Sequence, residues 1–194
     1  MVWETLVVKE TEYPTRMDWN LVEQWAEIPW FGENDPHNPE WKPSPVIHAD
    51  LSSFGYGEVF IKNEADISTN PTGTIKDRPA WEFATLYRDF ARMLYMKKKE
   101  GVLNGNLSSF PVPRFSLISA GNAVISLAEM FRVHCLPPIK VLVDLEHISL
   151  GDLIHLRNLH TDIYVNDLAT ARLTAADIKK ATNNEALTLL RLWQ

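Results

Sequence analysis

Two short segments of this chain carry residue types at spacings that could do chemistry. The first is Asn70-Pro71-Thr72-Gly73-Thr74-Ile75-Lys76-Asp77-Arg78-Pro79. Proline is accommodated only in the first turn of a helix, so Pro79 places a helix start within a residue or two of Lys76. The positive end of a helix opposes an ammonium charge. A neutral lysine amine is the nucleophile that Schiff-base formation with an aldehyde requires. Taken alone, a lysine near a helix start also reads as an ordinary solvated side chain. The second segment is Ser119-Ala120-Gly121-Asn122, between a strand-like run and a helical pattern. Gly121 lets a ligand approach the backbone closely, and the N–H groups that follow form an anion site at a helix N-terminus. The plain alternative is a strand-to-helix turn with Ser119 or Asn122 as its cap.

The remaining reactive side chains form no comparable pattern. The six histidines (His37, His48, His134, His147, His155, His160) lack metal-ligand spacing, so no metal is expected. There is no Gly-x-Gly-x-x-Gly, no Walker loop and no Gly-x-Ser-x-Gly. The pairs Glu10/Glu12 and Asp144/Glu146 read as solvated carboxylates. Cys135 is the one cysteine, which excludes an internal disulfide framework and a thiolate metal cluster. At the end of an apolar stretch it reads as a buried or half-buried, inert thiol.

The elements that must position the two segments are legible from Glu58 onward. Val59-Phe60-Ile61 predicts a strand, and Phe83, Leu86, Tyr87, Phe90 and Leu94 fall on one face of a long amphipathic helix. Pro111-Val112-Pro113 marks a loop. Phe115–Ile118 predicts the next strand, and Val124, Leu127, Ala128 and Phe131 the face of the next helix. Ile139–Val143 follows as a strand, then a helix capped by Ser149 that carries Leu150, Leu153 and Ile154, then a strand over Asp162–Val165. The segment from Ala175 to Gln194 reads as helical. Strands alternating with helices predict an α/β fold, a mostly parallel sheet with flanking helices and right-handed crossovers. Ligands in such sheets collect at the C-terminal ends of strands, where both segments lie.

Upstream, residues 1–57 hold Trp3, Trp19, Trp25, Trp30 and Trp41, five of the seven tryptophans. Asp18 followed by Leu21, Val22 and Trp25 predicts a short capped helix, and 32–39 a loop. This part reads as a Trp/Pro-rich arm packing its aromatics on a body formed by 58–194. The whole chain has 194 residues, 45% hydrophobic and 23% charged, an ordinary globular composition with enough length for a sizeable core. Its formal net charge is −6, and the densest basic run, Lys97-Lys98-Lys99, reads as a solvated helix end. Nucleic acid and anionic membranes are therefore not expected partners. No apolar run approaches membrane-spanning length and no signal peptide is visible, so a cytoplasmic location is expected.

Taken together and in order, the two segments resemble the fold-type II pyridoxal-phosphate enzymes, the tryptophan synthase β superfamily, and most of all its threonine synthase-like branch. That family holds its cofactor lysine in an Asn-Pro-Thr-Gly-Ser-Phe-Lys-Asp-Arg type run. A Ser-(Ser/Ala)-Gly-Asn loop follows about one βα unit later. The resemblance spans roughly residues 44–168, with Ser44-Pro45-Val46, Val59–Glu64 and Leu156–Leu159 matching less specifically. It implies that Lys76 carries pyridoxal 5'-phosphate as the internal aldimine and, once freed, shuttles protons at the substrate α-carbon. It implies that Asn122 bonds the cofactor's phenolic oxygen, and that Ser119, Ala120 and Gly121 hold the substrate carboxylate, with Thr74 nearby. Asp77 would favour the helix start and Arg78 salt-bridge it in place. The implied activity is that of a lyase or synthase, eliminating or replacing a β- or γ-substituent on a small amino acid. Family members are usually dimers, so a homo-oligomer is expected.

The family also has a second half with a glycine-rich phosphate cradle, and that half is missing here: beyond Gly121 the only glycine is Gly151. Three readings follow. The chain is a fragment, it is one part of a split enzyme whose partner chain or segment supplies the phosphate-binding half, or it is a shortened homologue acting as a non-catalytic interaction module. The last predicts a large exposed apolar patch and self-association.

Overall fold

The computed structural model describes residues 17–27, 42–103, 114–166 and 173–182. The expected loops at 32–39 and 111–113, the side chains of Trp3, Trp25, Trp30 and Trp41, and the C-terminal helical segment beyond 182 lie outside them. The elements are α1 (Trp19–Glu27), β1 (Val46–Asp50), β2 (Glu58–Lys62), α2 (Asp77–Lys99), β3 (Ser116–Ile118), α3 (Asn122–Val133), β4 (Lys140–Val143), α4 (Leu150–Asn158), β5 (Asp162–Val165) and α5 (Ala175–Ala181).

Strands β3, β4 and β5 are short runs rich in apolar and β-branched residues, flanked by helical sequence on each side. They pair in parallel in sequence order, with Leu117 opposite Val141 and Val141 opposite Ile163. Helices α3 and α4 make the two crossovers, and right-handed connections put both on the same face of the sheet. The chain is thus α/β, a parallel sheet with flanking helices. Strand β2 does not join it. It pairs antiparallel with β1, Ile47 opposite Ile61, in a separate two-stranded ribbon. The connection 51–57 is too short for a parallel crossover, which needs a dozen or more residues, so the two strands close as a hairpin. The division at 57/58 falls inside that hairpin.

Helix α3 forms the centre of the core. Val124, Ile125, Leu127, Ala128, Met130 and Phe131 are all buried, against Leu117, Val141 and Val143 of the sheet and Leu156 of α4. The rings of Tyr87, Phe115 and Phe131 meet at centroid separations of 5.1, 5.2 and 5.3 Å, joining α2 to the start of β3 and to α3. Helix α2 buries only part of the face its large residues mark: Tyr87 is interior and Phe83 packs on the core. Ala80, Ala84, Tyr87 and Ala91 are buried, whereas Leu86 is 61% exposed and Phe90 37%. Alanines at i, i+4 and i+11, with Tyr87 at i+7, let the two helices approach closely, and Leu86 and Phe90 are left facing outward.

Local signals set the helix ends. The Asp18 carboxylate accepts the amides of Asn20 (3.0 Å) and Leu21 (3.4 Å) at the start of α1, and Ser149 Oγ accepts the Asp152 amide (3.0 Å) at the start of α4. Thr174 and Asp177 form a reciprocal capping box on α5. Helix α1 rests on α2, burying Val22, with Tyr95 donating to Glu23 and Arg92 to the Ala26 carbonyl. Helix α3 ends in a Schellman turn: the Leu136 amide bonds Phe131 O and the Cys135 amide bonds Arg132 O. Cys135 takes the left-handed position (φ +52°) and is exposed, contrary to the expected burial; Leu136, one residue on, fills the interior instead. Among the described residues, no helix is long and apolar enough to cross a membrane, and no cluster of His, Cys, Asp or Glu could hold a metal ion.

Candidate functional site

The lysine-bearing turn is built from the backbone outward. Asn70 is fully buried, and its Nδ2 donates to the Glu64 carbonyl (2.8 Å) and carboxylate (3.1 Å), hanging the turn from the end of β2. Ser44 Oγ donates to the same carboxylate (2.7 Å), and Lys62 pairs with it. These three partners, Lys62 first, hold the Glu64 carboxyl down at about 2. Gly73 then turns the chain at φ +72°, where a Cβ would press against the Ala65 carbonyl oxygen at 3.4 Å. Thr74 is buried, and its hydroxyl accepts the Lys76 amide (3.3 Å). Lys76 itself is half-buried and stands at the N-cap position of α2, as the placement of Pro79 predicts.

Asp77, fully buried in the first turn of α2, reaches back across the turn. Its carboxylate accepts the Thr72 amide (2.7 Å) and the Thr72 hydroxyl. Asp77 therefore holds the loop as well as favouring the helix start. Arg78 extends the other way, its Nη2 donating to the Lys42 carbonyl (3.0 Å) and to Ser44 Oγ (3.3 Å). It ties the turn to the segment before β1.

The second segment leaves β3 at its C-terminal end. The Ser119 amide donates to Leu142 O (3.3 Å), prolonging the ladder with β4, and Gly121 is the N-cap of α3. Neither Ser119 nor Asn122 caps this helix: no side chain does. Gly121 sits at φ +104°, ψ −145°, and a Cβ there would meet no atom within 4 Å. The space over the loop is open. Ser119 and Gly121 are half-buried, while Ala120 and Asn122 are exposed.

A hydrogen bond ties the first segment to the helix that follows the second. Thr72 Oγ1 lies 3.0 Å from Oγ of Ser126, a fully buried residue on the second turn of α3. The turn holding Lys76 and Thr74 is thereby bonded to the helix that begins after Ser119, Ala120 and Gly121, with Asn122 as its first residue. Sequence reasoning did not single out Thr72, Ser126 or Glu64. A serine within the apolar run of α3 was the available signal.

A search of solved structures matches this arrangement to Escherichia coli diaminopropionate ammonia lyase, a structure holding an aminoacrylate–pyridoxal phosphate reaction intermediate. The match has TM-score 0.50 and 14% identity, over 87% of this chain and 39% of that one. The chain shares part of the fold of that enzyme. At such identity the likeness is one of fold, and the chain spans well under half of that enzyme's length. A hydrogen sulfide-producing enzyme from Fusobacterium nucleatum (19% identity, 72% of this chain, 39% of that one, TM-score 0.40) also matches. So does O-acetylserine sulfhydrylase isoform 3 from Entamoeba histolytica (16%, 72%, 38%, 0.40). No protein-family model and no curated protein matches the chain.

Two features of the described residues suit what a pyridoxal cofactor would need, a lysine amine and N–H groups open to an anion. A lysine stands half-buried at a helix start tied to α3, and the loop before α3 leaves open space above Gly121 at a helix N-terminus without a side-chain cap.

Proposed function

We propose that this chain is the lysine-bearing part of a pyridoxal-phosphate-dependent lyase or synthase of the threonine synthase-like kind, acting on a small amino acid. The observation that carries the reading is the Thr72–Ser126 hydrogen bond, which couples the Lys76 turn to the helix that follows the Ser119–Asn122 loop, in a fold partly shared with such an enzyme. Bound pyridoxal phosphate would supply a carbonyl for a lysine amine and a ring that accepts electrons from the substrate α-carbon. The chain's own residues do the rest. Lys76 Nζ would hold the cofactor and, when free, would take and return the proton at the substrate α-carbon. The amides following Gly121, with Ser119 and Ala120, receive the substrate carboxylate at the N-terminus of α3. Asn122 donates to the cofactor's ring oxygen, and Thr74 keeps the lysine turn in shape.

A phosphate needs a nest of N–H groups or arginines. With Gly151 the one glycine beyond Gly121, a second chain or further segment supplies that part. Leu86, Phe90 and Met93 form an outward stripe on α2, and the assembly proposed is a homo-oligomer. The test is incubation with pyridoxal phosphate, borohydride reduction and peptide mass mapping. A dominant adduct on Lys76, lost in Lys76→Ala, is expected. Scattered labelling, or an undiminished adduct in the variant, overturns the assignment and leaves the non-catalytic interaction module in its place.

A further inference from the structure

Ser126 is unusual for its surroundings. It is fully buried in α3, between Ile125 and Leu127, yet its hydroxyl points at Thr72 rather than staying within its own helix. The direction of the bonds follows from the donors present. Thr72 has one hydroxyl proton, which it donates to the Asp77 carboxyl group. Thr72 Oγ1 must then receive its bond from Ser126. The Thr72 amide donates to the other oxygen of Asp77 at 2.7 Å. The result is an ordered relay, Ser126 to Thr72 to Asp77, with two of its three members fully buried. Low solvent access strengthens such chains.

The relay ends one residue beyond Lys76 and starts four residues beyond Asn122. We propose that Ser126 is a positioning residue: through Thr72 and Asp77 it sets the turn carrying Lys76 in register with the helix whose N-terminus follows Gly121. The proposal rests on the reading of Lys76 as the cofactor lysine. It adds a residue that touches neither cofactor nor substrate. Removing the link need not unfold α3: in Thr72→Val the Ser126 hydroxyl can bond the carbonyl four residues back, that of Asn122, and Ser126→Ala leaves a good helix former in place.

The test compares the wild-type chain with Ser126→Ala, Thr72→Val and Thr72→Ser by two readouts. One is hydrogen exchange at the Thr72 amide, with the Leu142 amide in β4 as internal reference. The other is the yield of the pyridoxal phosphate–borohydride adduct at Lys76 relative to the exposed Lys97 and Lys99. Loss of one neutral hydrogen bond predicts roughly tenfold faster exchange at Thr72 in Ser126→Ala and Thr72→Val, with Leu142 unchanged and Thr72→Ser close to wild type. The Lys76 adduct should fall by a similar factor while Lys97 and Lys99 label as before. Unchanged exchange and unchanged adduct in Ser126→Ala overturn the proposal and leave the cofactor reading intact. Equal acceleration at Leu142 also overturns it, because Ser126 would then serve folding as a whole. If wild-type Lys76 takes no adduct, the cofactor reading falls, and the exchange data alone decide whether Ser126 holds the turn.

Discussion

Two glycine-to-alanine substitutions should move stability in opposite directions, for reasons visible in the backbone. At Gly121 the added Cβ meets nothing within 4 Å, so no steric contact opposes it. The whole cost comes from φ +104° and ψ −145°, a conformation that L residues populate poorly, at roughly 1–3 kcal/mol. Alanine recovers about 0.4–1 kcal/mol by restricting the unfolded chain, leaving a net loss of about 1–2 kcal/mol. Gly151 is the second residue of α4, without a positive φ, and its Cβ would lie 3.7 Å from Ser149 Oγ, an ordinary contact. There the same substitution relieves a helix of its least favourable residue and should stabilise by about 0.5–1 kcal/mol. The two variants therefore differ by about 2 kcal/mol, or roughly 1 M in urea midpoint at a typical slope for a chain of this size. Urea unfolding followed by circular dichroism, with slopes compared across the three proteins, makes the measurement. A Gly121→Ala protein as stable as wild type would refute the backbone argument, because no other term in the structure opposes the methyl group.

Other predictions are shorter. Glu64 is held at about 2 against an ordinary value of 4.5, so the stability it contributes is fully present above 4.5 and disappears as pH falls from there through about 2. Glu64→Gln should flatten the pH dependence of the urea midpoint within that window, and equal slopes in both proteins would sink the assignment of Lys62, Ser44 and Asn70 as the cause. Phe131→Ala removes a fully buried ring packed on Tyr87 and Phe115 and should cost about 3–5 kcal/mol; a loss under 1 kcal/mol by thermal or urea unfolding would mean that the aromatic cluster is not a centre of the core.

Much of this protein is written locally, because helix and strand periodicity, caps and proline act over a few residues. The runs that become β3, β4 and β5, the apolar face of α3, the Ser149 and Asp18 caps and the start of α2 beside Lys76 all follow from neighbours in sequence. The pairing of Asn-Pro-Thr-Gly-Thr-Ile-Lys with Ser-Ala-Gly-Asn pointed to the fold for the same reason: each is a compact turn whose geometry its own residues specify. Choices among nearly equal local options were left to the tertiary structure. Helix α2 has two overlapping candidate faces, and packing selected Ala80, Ala84, Tyr87 and Ala91 over Leu86 and Phe90. Strand β2 could have entered the parallel sheet, but β1 lay too near in the chain for anything except a hairpin. Cys135 had to accept the left-handed position because Leu136 could reach the interior only from the residue beyond it. The bond between Thr72 and Ser126 joins residues 54 apart, and no periodicity within either segment encodes it. It exists because α2 and α3 pack side by side, and that packing depends on the whole buried surface between them.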